Sequence, residues 1–81
     1  MTINQFKLLP RLTKINIIWE QGIVVGERED EGCTFVLYSY NSFYVELFFS
    51  GTRLVKIKAF NNMDLLEPYL PEIQIHSLFL F

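Results

Sequence analysis

The chain has one cysteine and one histidine. The lone Cys33 excludes an internal disulfide and fits a reducing compartment. With a single histidine, His76, a closed nitrogen and sulfur metal site is excluded, and neither a metal nor a cofactor is expected. No stretch approaches the roughly 20 apolar residues of a membrane span. The N-terminus, Met1-Thr2-Ile3-Asn4-Gln5-Phe6-Lys7, lacks the charged region, apolar core and small-residue cleavage site of a secretory signal. Basic runs are absent, and seven Lys and Arg stand against nine Asp and Glu. A nucleic-acid footprint is therefore missing. Tyr38, Tyr40 and Tyr44 would need a positive groove to act as a stacking platform. The four glycines, Gly22, Gly26, Gly32 and Gly51, are dispersed and build no phosphate-cradling loop. These absences point to a cytoplasmic protein without membrane or nucleic-acid partners.

What the chain does have is apolar surface. Hydrophobic residues make up 51% of its 81 residues and aromatics 16%, against 20% charged. That length makes a single domain, residues 1–81. A domain this small buries only about 60% of the surface its unfolded chain exposes. With disulfide and metal excluded, oligomerisation is the remaining source of added stability.

The strongest pattern is Phe43-Tyr44-Val45-Glu46-Leu47-Phe48-Phe49, followed by Leu54-Val55-Lys56-Ile57-Lys58-Ala59-Phe60. At period two, Phe43, Val45, Leu47 and Phe49 share a face, as do Val55, Ile57 and Ala59. Asn41-Ser42 is a two-residue hairpin connection that pairs Tyr40 with Phe43. Across the turn 50–53, pairing Leu47 with Val55 or with Ile57 keeps the apolar faces together. Either register sets Glu46 opposite a lysine, Lys56 or Lys58, a pair worth roughly 0.2–1 kcal/mol. Upstream, Ile23–Glu29 reads as a strand weakened by Gly26. Residues 27–31 form a charged stretch ending in Gly32, a solvated hairpin end or an acidic contact loop for a basic partner.

At the N-terminus, Thr2 and Gln5 fit a capping box, with Ile3, Phe6 and Leu9 on one stripe and Pro10 as the stop. Thr13 is a candidate N-cap for a second helix, and Gly22 fits the position that closes it. Ile15, Ile18 and Trp19 line its inner side. After Phe60, Asn61-Asn62-Met63-Asp64 signals a helix start, but Pro68 and Pro71 limit it to short turns up to Leu70. The tail is apolar to Phe81 and reads as a strand or a short helix.

The predicted fold is α+β. A four-stranded antiparallel meander (about 23–29, 33–40, 43–50 and 54–60) packs against N-terminal helices (about 3–9 and 13–21). Val36, Tyr38, Val45, Leu47, Phe49, Val55 and Ile57 receive the helices through Phe6, Ile15, Ile18 and Trp19. The second face carries Phe35, Leu37, Tyr44, Phe48, Leu54 and Phe60 around Glu46. A surplus apolar face suits a homo-oligomer, with a symmetric dimer as the expected solution, or an unidentified protein partner. The interface residues named on this basis are Phe35, Tyr44, Glu46, Phe48, Lys58 and Phe60, with Glu46 and Lys58 setting register.

Enzymatic chemistry finds little support. His76 has apolar neighbours and no orienting partner. Cys33 follows acidic residues, which raise a thiol pKa, and reads as a small buried hydrophobe. Glu20 opposes a helix dipole and is expected to pair with Arg28. The protein is thus read as a non-enzymatic interaction or structural protein. The alternative is a small-ligand module with a pocket between sheet and helices near Trp19 and Tyr38.

The segments Trp19-Glu20-Gln21-Gly22, Leu37-Tyr38, Phe43-Tyr44-Val45-Glu46, Ile57-Lys58-Ala59-Phe60 and Leu66-Glu67-Pro68-Tyr69-Leu70 form a pattern of their own. It resembles a group of short bacterial proteins with a "WE-x-G … LY … FYVE … I-(R/K)-AF … L-x-PYL" signature. The resemblance spans Trp19 to Leu70 and implies a bacterial origin and a self-contained small fold. The group has no assigned activity, so no catalytic residue carries over.

Overall fold

In a computed structural model the described residues are 1–61, forming two helices and four strands. Helices α1 (Ile3–Lys7) and α2 (Arg11–Gln21) precede strands β1 (Ile23–Asp30), β2 (Cys33–Tyr40), β3 (Phe43–Ser50) and β4 (Arg53–Phe60). The strands form one antiparallel sheet in the order β1-β2-β3-β4. This is the α+β meander that the alternation predicts. The readings of residues 62–81, His76 among them, lie outside the described residues.

The capping box at α1 is complete. Thr2 N–H donates to Gln5 Oε1 at 2.8 Å, and Gln5 N–H donates to Thr2 Oγ1 at 3.2 Å. Two satisfied donors offset the poor nucleation of a five-residue helix. α2 departs from expectation at both ends. It begins at Arg11 with Pro10 as N-cap, so Thr13 lies inside the helix. Proline lacks the N–H that a helix start leaves unpaired, and its φ of −61° is already set. At the other end, Gly22 closes α2 in an extended conformation (φ −75°, ψ 150°), not a left-handed one. Space explains the glycine: a Cβ there would sit 2.6 Å from the Ile18 carbonyl oxygen and 3.1 Å from Tyr38 Cδ2. The chain turns from helix to strand with no room for a side chain.

The hairpins follow the turn chemistry. Asn41 (φ 52°), and Glu31 and Gly32 (φ 50° and 80°), take the left-handed conformations that tight connections need. The turn therefore narrows to Glu31-Gly32, and Glu27 to Asp30 belong to β1. The β2–β3 ladder pairs Tyr40 with Phe43, Tyr38 with Val45 and Val36 with Leu47, as predicted. Of the two registers open for β3–β4, the chain adopts Leu47↔Ile57, which sets Glu46 against Lys58.

Two bulges revise the faces. In β1, Val24 pairs with Tyr38 and Gly26 with Leu37, leaving Val25 extra. Between β3 and β4, Phe48 pairs with Lys56 and Phe49 with Leu54, leaving Val55 extra. An extra residue shifts the strand's alternation by one. Leu54 consequently joins the helix-side core, and Val55, expected there, is 46% exposed.

The helix-side core is Phe6, Ile18, Tyr40, Phe43, Val45 and Leu47. Phe6 anchors it, with ring centroids 5.5 Å from Phe43 and 6.2 Å from Tyr40. Ile17 packs against this core where Trp19 was expected. Ile17 and Ile18 lie about 100° apart on the helix. Burying both turns Trp19 outward, where it is 69% exposed.

Candidate functional site

The second sheet face collects the six residues named from sequence. Phe35 and Phe48 meet edge to face with centroids 4.6 Å apart, and Tyr44 stacks on Phe60 at 5.9 Å. Phe60 and Leu37 are buried, with Val25, Phe35 and Tyr44 packed against them. Phe48 is half-buried and Lys58 exposed. The face is thus a second apolar cluster as well as a row of aromatics.

A charged group sits within that cluster. Arg28 stacks on the Phe35 ring, 3.8 Å from its centroid, and its Nη2 lies 3.8 Å from Glu46 Oε2. The sequence reading assigned Arg28 to Glu20 instead. Glu20 lies exposed near the end of α2, whereas Arg28 faces Phe35 in the ladder and so reaches the Glu46 side of the sheet. Glu46 therefore has one cation in ion-pair range and a second, Lys58, directly across the strand pair. Arg28 was missed because residues 27–31 read as a charged turn, whereas the turn at Glu31-Gly32 keeps Arg28 in β1 and pairs it with Phe35.

A cleft opens elsewhere. At the place expected for a pocket, near Trp19 and Tyr38, Trp19 is exposed and Tyr38 packs beside Gly22. The cleft, of about 240 Å3, lies at the opposite end of α2, lined by Arg11, Lys14, Val55, Lys56 and Ile57. Arg11 Nη2 donates to the Leu54 carbonyl oxygen, which ties the start of α2 to β4. Lys14 Nζ lies 5.9 Å from the centre of the Phe6 ring. Arg11 and Lys14 make the opening positive and favour an anionic group, whereas Lys56 pairs with Phe48 in the ladder and so sends its side chain to the other face of the sheet.

Charge is sorted across the molecule. Every Lys and Arg except Arg28 lies on α1, the first half of α2 or β4: Lys7, Arg11, Lys14, Arg53, Lys56 and Lys58. The opposite edge, β1 with its turn, carries Glu27, Glu29, Asp30 and Glu31. On this side burial raises the Tyr38 hydroxyl pKa above its ordinary value, and the nearby Glu27 carboxylate adds to the rise.

Exposed apolar side chains are also concentrated. Leu8 is 86% exposed, Leu12 73%, Ile23 68% and Val24 55%. Leu12 and Trp19, seven residues apart, share the outer side of α2. Cys33 is half-buried, less enclosed than expected, and carries a free thiol. Among the described residues, no group of three or more His, Cys, Asp or Glu could hold a metal ion. Nor is any described helix long and apolar enough to cross a membrane.

The chain matches no family model, and neither curated proteins nor solved structures give a match.

Proposed function

We propose that this is a small, non-enzymatic interaction protein that works by associating with copies of itself. The observation that carries the reading is the set of large apolar side chains left in water on one protomer: Leu8, Leu12, Trp19, Ile23 and Val24. Residues of this kind scattered singly are ordinary, whereas Leu12 and Trp19 share the outer side of α2, and of Ile23 and Val24, which project to opposite faces of the sheet, Val24 lies on the helix side. The aromatic sheet face was the surface favoured from sequence, but Phe60 is buried there and its aromatic neighbours are half-buried. That favours the outer side of α2 and the start of β1. The lone thiol fits a cytoplasmic setting.

Trp19 is the only tryptophan, so its fluorescence reports this surface alone. At high protein concentration its emission should be blue-shifted and shielded from acrylamide. On dilution it should move to the red as copies separate. An emission that stays red and fully quenchable at every concentration would count against the reading.

A further inference from the structure

Resting on the self-association reading, we infer that copies join head to tail: the acidic β1–β2 hairpin end of one copy seats in the cationic cleft between α2 and β4 of the next. The occupant follows from the sorting of charge. The cleft presents Arg11 and Lys14 at an opening of about 240 Å3 that Val55, Lys56 and Ile57 of β4 also line. Glu29, Asp30 and Glu31 are exposed at the far edge of the same molecule. α2 crosses the sheet between these edges. Its start is tied to β4 through Arg11 and the Leu54 carbonyl, and its end abuts Tyr38 of β2 and runs into β1.

The cleft and the acidic end lie at opposite edges of the sheet, separated by its four strands. Between chains, like edges repel and unlike edges attract. The pairing of β1 with β1 or of β4 with β4 is thus disfavoured, and only the mixed contact is complementary. The cleft is already shaped to receive a carboxylate. Arg11 gives one of its five donors to Leu54 and keeps the others for a ligand. Lys14 is held over Phe6, and Val55, displaced by the bulge, adds an exposed apolar floor. A contact that uses two different surfaces is heterologous. It generates a ring or an open chain, not an isologous dimer.

The test is sedimentation velocity on the full-length chain in low and high salt, with two charge-reversed variants. One carries Arg11→Glu and Lys14→Glu; the other carries Glu29→Lys and Asp30→Lys. Wild type should associate at low salt and dissociate as salt screens the contact. Each variant alone should lose the salt-dependent association and keep only what the apolar surface supports. An equimolar mixture should recover association, because each variant supplies the surface its counterpart lacks. Recovery also demands that both variants be folded. Wild-type protein that associates while either variant keeps the salt-dependent association, or a mixture that does not regain it, overturns the head-to-tail contact alone. A monomeric wild type whose cleft binds inorganic phosphate overturns both the contact and the self-association reading.

Discussion

Single residues carry more of this structure than their chemistry first suggests. Gly22 is held by space: a Cβ there would lie 2.6 Å from the Ile18 oxygen. Gly22→Ala should lower stability by about 1–3 kcal/mol, the usual range for overpacking, and a denaturant titration checks it. Tyr38 makes stability depend on alkaline pH. Its folded pKa lies above the ordinary 10.0, so below that value the hydroxyl is neutral in both the folded and unfolded states and nothing is lost. As pH rises past 10.0 the unfolded chain ionises first, and stability falls until the folded-state value is passed. Thermal melts across this window should show that loss, and Tyr38→Phe should reduce it. Glu46 was legible as an unusual mid-strand acid, and so was its place across from a lysine. Its ion pair with Arg28 was not, because residues 27–31 read as a turn, while the chain keeps Arg28 in β1 opposite Phe35.

At the level of elements, the strands were readable and the helix faces were not. Strand alternation is a two-way choice, and Asn41-Ser42 and Gly32 place the turns within a residue. The bulge near Val55 escaped notice because Leu54 and Val55 are both apolar, so either can satisfy the inner face. α2 is ambiguous for a related reason. Leu12, Ile15, Ile17, Ile18 and Trp19 spread apolar surface around most of its circumference, and only docking on the sheet selects Ile17 and Ile18. The choice has a measurable consequence. Ile18→Ala removes a fully buried side chain and should cost about 2–5 kcal/mol. Trp19→Ala removes a larger side chain from water and should change protomer stability by less than about 0.5 kcal/mol at dilutions where copies are separate. Equal losses from the two substitutions would mean that α2 docks through its other stripe.

The described residues form one sheet with helices on one side, a second apolar cluster on the other and most of their charge divided between two edges. The surplus of apolar residues was plain from composition, but its place was not. Composition counts side chains, and only the docking of α2 decides which remain in water. The charge division was hidden for a similar reason. The cations occur in separate stretches of sequence, near residues 7–14 and 53–58, and the meander brings them to one side. The account stands on self-association, and the absolute mass of the untagged protein, by light scattering after size exclusion across a dilution series, tests that most directly. A mass of two or more chains that falls toward one on dilution is the predicted result. A mass of one chain at every concentration would contradict the account.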